Sequence, residues 1–305
     1  MSKKALLVGI NNFVEPTWQL QGCINDTEEM QQLLAQYFGF KQQDIQVLHD
    51  AAATAQGIRT GLAWLLDDSR SGDVRVFHFS SHGTQVEDQS GDEWECKDEV
   101  IVPHDHDWNN PFRDDDLREI FDRIPAGVNF TFIADCCHSG TIQKALFDNK
   151  VEFTPRYLTP PPEITRAIAD KVRRRDEEAD AWAATQLAEM LKAIPPQQWA
   201  AKMKEYLALL RRRFRENRYG VVPSGRHVLL AACEDRQTAA DARIEGTFRG
   251  AFTWALGKAL KAAKGNLTYG QLITRTGANL ANYDQLPQLE CPAQMRKLKV
   301  FAPLG

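Results

Sequence analysis

The chain has 305 residues, of which 43% are hydrophobic and 9% aromatic, enough for one large α/β domain or two smaller domains. Its 37 basic and 41 acidic residues give a formal net charge of −4, so nothing draws the whole chain to nucleic acid or anionic lipid. No apolar run reaches the roughly 18 residues of a membrane span, and Lys3-Lys4 leads directly into a strand-like segment. We therefore expect a cytoplasmic protein with no cleaved signal, no membrane segment and no nucleic-acid partner.

The first half of the chain alternates short apolar runs with segments of helical periodicity. Strands are predicted at 4–10, 45–49, 74–80 and 129–135. Helices are predicted at 26–37, 54–66 and 114–123. Such alternation is typical of a mostly parallel sheet with helices on both faces.

This alternation stops after residue 147. Residues 148–162 are rich in proline and predict a loop, and two basic helical stretches at 163–194 and 197–218 are separated by Pro195-Pro196. We interpret them as a helical hairpin inserted into the α/β domain. The sheet is expected to resume with a strand at 227–233, helices at 251–263 and 269–282, and a last strand at 297–301. The predicted organisation is a large catalytic part (1–147), a loop and helical insert (148–225), and a smaller part that completes the sheet (226–305).

The six cysteines have spacings that indicate reduced thiols rather than a disulfide framework, and none forms a C-x-x-C pair. They are Cys23, Cys96, Cys136, Cys137, Cys233 and Cys291. Cys136 and Cys137 stand side by side at the end of a predicted strand. A free thiol is mostly protonated at neutral pH, so a nucleophilic cysteine needs a base nearby.

Few histidines are suited to be that base. His49 and His78 lie within predicted strands, where packing in the core is the simpler interpretation, whereas His82 directly follows the strand at 74–80. In a parallel sheet, ligands bind and catalytic residues lie beyond the carboxyl ends of the strands. His82 and Cys137 are both expected there. Gly83 allows close backbone approach and offers an N–H to an oxyanion. The spacing alone leaves open that the two loops never meet.

Two motifs, Ser80-Ser-His-Gly-Thr-Gln85 and Asp135-Cys-Cys-His-Ser-Gly140, resemble the His and Cys motifs of the metacaspases, which are peptidases of the caspase fold. Cys137 follows His82 by 55 residues (137 − 82), close to the ~50 expected for a caspase-type cysteine. Further stretches that match are 5–11, 22–26, 98–103 and 233–241, so the resemblance covers about 3–145 and 226–302 but not the insert. It implies a caspase-like α/β/α sandwich around a mostly parallel sheet, with the helical hairpin as an insertion.

The resemblance also implies roles for individual residues. Cys137 is the expected nucleophile and His82 the general base, with the amides of Gly83 and Cys137 holding the oxyanion. Cys136 then packs as a small side chain, and His138 is a neighbour rather than the base.

The same resemblance groups Asp26, Asp135, Ser80 and Cys23 in one substrate pocket. Carboxylates at the base of a narrow pocket favour a cationic side chain, with arginine bound through two hydrogen bonds and lysine as a point charge. Aspartate, which caspases prefer, would be repelled. We therefore expect protein or peptide substrates with arginine or lysine at the cleavage site.

No cofactor is required by this chemistry, but calcium has to be considered. Some metacaspases are activated by calcium through acidic residues that align with Asp98, Asp114 and Asp115, and carboxylates suit this ion. The acidic residues at 114–116 could instead cap the helix that follows. Lys144 stands where a further acidic ligand is expected. Zinc through Cys96, His104 and His106 lacks a recognisable spacing.

We therefore predict a cysteine endopeptidase that cleaves after arginine or lysine and processes itself in the insert. The arginine triplets at 173–175 and 211–213 should be protected if their helices form, because such peptidases bind substrates as extended strands. Arg156 and Arg218 are the better candidates for self-cleavage. The alternative is a catalytically silent caspase-like module that uses the same surface for regulation or calcium binding.

Overall fold

The computed structural model of the chain describes residues 1–89, 96–137, 153–193, 195–204, 227–234, 237–283 and 285–304. The chain divides into two compact units. The first comprises 1–84, 99–159 and 223–305, and the second comprises 85–98 and 160–222. No helix within the described ranges is both long and apolar enough to cross a membrane.

The strands in chain order are β1 (Lys3–Gly9), β2 (Ile45–His49), β3 (Val74–Ser80), β4 (Gly83–Glu87), β5 (Lys97–Ile101), β6 (Phe112–Arg113), β7 (Asn129–Asp135), β8 (Phe153–Pro155), β9 (His227–Ala231), β10 (Ala240–Ile244), β11 (Thr247–Gly250) and β12 (Gln288–Glu290). The helices are α1 (Cys23–Phe38), α2 (Ala55–Leu66), α3 (Asp114–Phe121), α4 (Pro162–Ala193), α5 (Ala251–Ala262) and α6 (Tyr269–Asn279).

The central sheet has six strands in the order β12-β9-β7-β3-β1-β2. All neighbours pair in parallel except β12, which runs antiparallel to β9 at one edge. Every residue of β3 and of β7 is buried, so both strands are covered on two faces, as expected for a parallel sheet between helices. The α/β architecture with a mostly parallel sheet that the sequence predicts is confirmed.

Local sequence signals explain where several helices begin and end. Thr54 precedes α2, and its hydroxyl accepts a hydrogen bond from the amide of Gly57 at 2.9 Å. Thr268 and Gln271 form a reciprocal capping box at the start of α6. Helix α1 ends at Gly39, which takes the left-handed conformation (φ 69°) that glycine adopts without a steric penalty.

The predicted strand at 297–301 is wrong. Met295–Lys297 form a turn of 3-10 helix, and Phe301 is in the left-handed region with φ 50°. Val300 and Phe301 are buried in the core, so their apolar side chains are explained by packing rather than by strand pairing. The edge of the sheet is instead supplied by the short strand β12.

A small antiparallel sheet, in the order β11-β10-β8, was not predicted from the sequence. Strands β10 and β11 are joined by Glu245-Gly246, which both have positive φ (53° and 86°). Consecutive residues with positive φ are typical of a tight hairpin turn. A second small sheet contains β4, β5 and β6.

Candidate active site

The ends of β3 and β7 bring the predicted catalytic residues to one edge of the sheet. The two strands are paired in register, with Ser80 opposite Asp135. His82 and Cys137 each follow two residues later, so they leave neighbouring strands at the same level. This is the carboxyl edge at which ligands bind in parallel sheets.

The main chain of Arg156 lies directly against these two loops. Its carbonyl oxygen accepts hydrogen bonds from the amides of Gly83 at 3.1 Å and Cys137 at 3.2 Å. Its own amide donates to the carbonyl of Ala239 at 2.9 Å, and the preceding strand β8 pairs antiparallel with β10. A segment of the chain is thus bound in extended form, with one carbonyl held by two converging N–H groups.

The side chain of Arg156 is fully buried among three carboxylates. Its Nη2 lies 2.7 Å from Asp26 and 3.2 Å from Asp241, and its Nη1 lies 3.2 Å from Asp135. Nη1 also donates to the hydroxyl of Ser80 at 2.8 Å. The predicted pocket residues Asp26, Asp135 and Ser80 therefore contact a single guanidinium group.

Each of these carboxylates also accepts hydrogen bonds from groups other than Arg156. The amide of Gly250 donates to Asp26 at 2.9 Å, and the amide and hydroxyl of Thr253 donate to Asp135 at 2.9 and 2.6 Å. The amides of residues 21 and 22 donate to Asp241 at 2.7 and 3.2 Å. Contacts within the fold, as well as Arg156, therefore position the three carboxylates.

Burial and charge act in opposite directions on these groups. Burial raises the pKa of Asp26 to about 7, although the positive charge of Arg156 works against it. For Arg156, burial favours the neutral form, but the charges of Asp135 and its neighbours outweigh it and raise the pKa of the guanidinium. Burial likewise raises the pKa of Cys23, which lies near Ser80 and Arg156. The guanidinium is therefore the charge that opposes the effect of burial on Asp26.

His82 is held as a neutral base. Burial lowers the pKa of its imidazole to about 4. Its Nε2 lies 2.8 Å from the carbonyl oxygen of Trp18, which can only accept, so Nε2 carries the proton. Among the described residues, Nδ1 has no hydrogen-bond partner, so its lone pair is available to take a proton.

The thiol of Cys137 does not contact that nitrogen. Its Sγ lies 2.9 Å from the Sγ of Cys233 and accepts a hydrogen bond from the amide of Ala239. Cys136 is also buried, and burial raises the pKa of its thiol. The amide of Cys137 thus points at the bound carbonyl, while its sulfur points away from the candidate base.

The residues considered for calcium are arranged differently. Asp114 and Asp115 lie in the first turn of α3, where Arg118 approaches them to 3.7 and 2.8 Å. Asp98 is buried on β5. Within the described ranges, no group of three or more His, Cys, Asp or Glu side chains could hold a metal. A cationic side chain, that of Arg118, lies beside the two helical carboxylates.

Sequence reasoning missed several residues that complete the site. Asp241 and Thr253 join the pocket from β10 and α5, and the carbonyl of Trp18 orients His82. Asp241 ends one of the stretches that match the metacaspase pattern, and this was the available signal. His138, Lys144, Arg218 and the triplet at 211–213 lie outside the described residues.

Comparison with known proteins agrees with this geometry. Residues 3–145 match the family model described as metacaspase, peptidase C14 domain. Metacaspase-1 of Schizosaccharomyces pombe is 31% identical over 302 residues, which cover 95% of this chain and 67% of that protein. Metacaspase-7 of Arabidopsis thaliana is 42% identical over 146 residues, which cover 46% of this chain and 35% of that protein.

Two solved structures share the fold. A protein from Geobacter sulfurreducens has a TM-score of 0.64 at 22% identity, covering 100% of both chains. Caspase-1 from Spodoptera frugiperda has a TM-score of 0.52 at 12% identity, covering 95% of this chain and 86% of the other.

Replacing Arg156 by alanine should destabilise the protein in a pH-dependent way. The variant keeps three buried carboxylates without their cation, and breaking a buried ion pair typically costs about 3–5 kcal/mol. The folded-state pKa of Asp26 is already raised, to about 7, so its contribution to stability falls as pH rises from the unfolded value towards 7. Loss of Arg156 raises that pKa further and extends the fall to higher pH. The free energy lost should therefore be larger at pH 8 than at pH 5.

Urea unfolding at both pH values measures this difference, with Cys137→Ala in all proteins so that no chain is cut. Arg243→Ala is the matched control, because Arg243 is an exposed arginine on β10 and should change stability by less than about 0.5 kcal/mol. An equal effect of Arg156→Ala at pH 5 and pH 8 would contradict the prediction.

Proposed function

The chain belongs to the metacaspase family of caspase-like cysteine peptidases, and we propose that it hydrolyses peptide bonds after arginine or lysine with Cys137 and His82 as its catalytic pair. The single observation that best supports the proposal is the binding of Arg156. Its carbonyl oxygen receives two amide hydrogen bonds, and its side chain meets three carboxylates. A substrate arginine is expected to bind in the same way.

The proposed reaction uses these groups in order. His82 takes the thiol proton of Cys137 at Nδ1, and the thiolate attacks the carbonyl carbon of the substrate residue in the pocket. The negative oxygen of the tetrahedral intermediate is stabilised by the amides of Gly83 and Cys137. The imidazolium then protonates the leaving amine, and water hydrolyses the thioester with His82 again as the base. Attack requires the sulfur of Cys137 to turn from Cys233 towards the bound carbonyl.

Charge supports the proposed specificity. Both terminal nitrogens of a guanidinium reach carboxylates here, whereas a lysine ammonium offers a single charged centre. An aspartate side chain would add a fourth carboxylate to a buried cluster of three and would be excluded. We therefore expect arginine to be preferred to lysine.

Self-cleavage between Arg156 and Tyr157 is part of the proposal. The bond that follows the held carbonyl is the one that Cys137 would cut, so the bound segment has the form of a substrate. Arg218, the other predicted site, lies outside the described residues. The cytoplasmic location also remains a prediction.

Calcium should have little effect on activity. Arg118 lies close to two of the three candidate ligands, Asp114 and Asp115, and Lys144 replaces a further acidic residue. We expect less than a twofold change in the rate of peptide cleavage between chelator and millimolar calcium. A sharp rise that is lost in Asp98→Ala would contradict this expectation.

Cys137→Ala should abolish turnover of a small arginine amide and labelling by an arginine-directed electrophile. Cys136→Ala should retain most of the turnover and most of the labelling. The thiol of Cys136 is buried and has a raised pKa, and the amide that donates to the bound carbonyl belongs to the next residue, Cys137. Amides of aspartate should not be cleaved by any variant. The reverse pattern for the two cysteines would reassign the nucleophile, and a wild-type protein without turnover would favour the catalytically silent module.

Termini mapped by mass spectrometry test the self-cleavage. The wild-type chain should acquire a new C-terminus at Arg156 and a new N-terminus at Tyr157, at a rate independent of protein concentration. Cys137→Ala should stay intact. If the wild type remains a single chain while it cleaves added peptides, the segment around Arg156 is a resident inhibitor rather than a substrate.

A further inference from the structure

The chain stays bound on the far side of the Arg156 carbonyl as well. Tyr157 forms a parallel bridge with Gly83, and the amide of Leu158 donates to the carbonyl of Gly83 at 2.9 Å. The carbonyl of Leu158 accepts from the hydroxyl of Thr84 at 2.6 Å. The residues that follow the proposed cleavage site therefore lie along the start of β4, just as those before it lie along β10.

Gly83 is held from both sides by this segment. Its N–H donates to the carbonyl of Arg156, and its C=O accepts from the amide of Leu158. Glycine has the widest range of backbone conformations, so the direction of its N–H depends on what holds it. The bond to Leu158 fixes the residue whose N–H is one of the two donors to the reacting carbonyl.

The side chains of the segment differ in how deeply they are buried. Leu158 is only 7% exposed, whereas Thr154 points into solvent. Phe153 and Tyr157 are partly buried against the hydrophobic core. Of the two residues after the proposed cleavage site, Leu158 is the more completely enclosed.

We infer that the enzyme selects substrates on both sides of the cleaved bond and takes extended strands with a large aliphatic residue at the second position after it. This inference rests on the proposed peptidase function and deepens it. Thr84 is a positioning residue on the enzyme side, since its hydroxyl donates to the main-chain carbonyl of that second residue. Binding there positions Gly83, so it promotes the chemical step as well as adding affinity.

Internally quenched peptides with the sequence of residues 153–159, Phe-Thr-Pro-Arg-Tyr-Leu-Thr, test the inference on the full-length wild-type chain. One variant peptide carries aspartate in place of the leucine, and another carries an N-methyl group on the leucine amide. The control peptide carries alanine in place of the first threonine, whose counterpart Thr154 is exposed. The chain's own segment competes equally with all of them, so ratios of kcat/KM are unaffected by it.

We expect the aspartate peptide to lose about 10-fold or more in kcat/KM, as burial of a leucine side chain implies. The N-methyl peptide should lose about 3- to 10-fold, which matches one hydrogen bond. The control should stay within about twofold, since an exposed side chain adds little to binding. Equal cleavage of all four peptides, each after arginine, would overturn the inference and leave the proposed function intact.

Thr84→Val gives the complementary test on the enzyme. It keeps the shape of the side chain and removes the hydroxyl, so kcat/KM for the long peptide should fall about 3- to 10-fold. The ratio of kcat/KM for the long peptide to kcat/KM for an arginine amide without residues beyond the cleaved bond should fall, because only the long peptide reaches Thr84. A parallel loss on both substrates would indicate general damage and contradict the role of Thr84. Failure of wild-type enzyme on the arginine amide and on every peptide would overturn the peptidase proposal itself.

Discussion

The meeting of three buried carboxylates with one guanidinium is the constraint on which the rest of the site depends. Ionised carboxylates are costly to bury, and several of them close together repel one another. Arg156 offsets both effects for Asp26, Asp135 and Asp241. The raised pKa of Asp26 indicates that the balance is close even with the cation present. A neutral occupant would leave these carboxylates without a counter-charge.

The start of helix α5 makes this pocket possible. The first amides of a helix have no partner within it and carry partial positive charge, which suits carboxylates. Gly250 and Thr253 direct such amides at Asp26 and Asp135. Gly250 also has to be glycine, since a Cβ there would overlap the carboxylate of Asp135 and the guanidinium of Arg156. Parts of the chain that are far apart in sequence are thereby joined at the base of one pocket.

The parallel core could be predicted from the sequence because its information is local. Strands β2, β3 and β7 are short segments rich in apolar residues and bounded by helical patterns, and their predicted limits agree with the structure. Strand β12 has only three residues, and the apolar segment that ends at Phe301 packs in the core with only an isolated bridge between Lys299 and Thr268, so its hydropathy predicted a strand that does not form. Short strands that pair over long sequence distances carry too few residues for a periodic pattern.

The residues of the site also fall into two groups, those marked by local sequence patterns and those placed by contacts between distant parts of the chain. Asp135 and His82 lie beside strand ends that the sequence marks clearly. Asp241 is brought to the pocket by the hairpin of β10 and β11, and its distance from Asp26 in the chain leaves no periodic signal. The insertion of Arg156 depends on β8 pairing with β10, a contact between a proline-rich segment and a strand that itself was not predicted. Local motifs thus predicted candidate site residues, whereas tertiary contacts determine that Arg156 occupies the pocket.

Binding and chemistry are governed by different atoms of the same residues. The bound carbonyl is held by main-chain amides of Gly83 and Cys137, and these bonds do not depend on where the thiol points. The sulfur of Cys137 contacts Cys233, and burial lowers the pKa of His82 to about 4, so its imidazole is neutral at physiological pH. A peptide segment therefore occupies the site while the sulfur of Cys137 contacts Cys233. The main chain and the side chain of Cys137 thus make separate contacts, the amide with the carbonyl of Arg156 and the sulfur with Cys233 and Ala239.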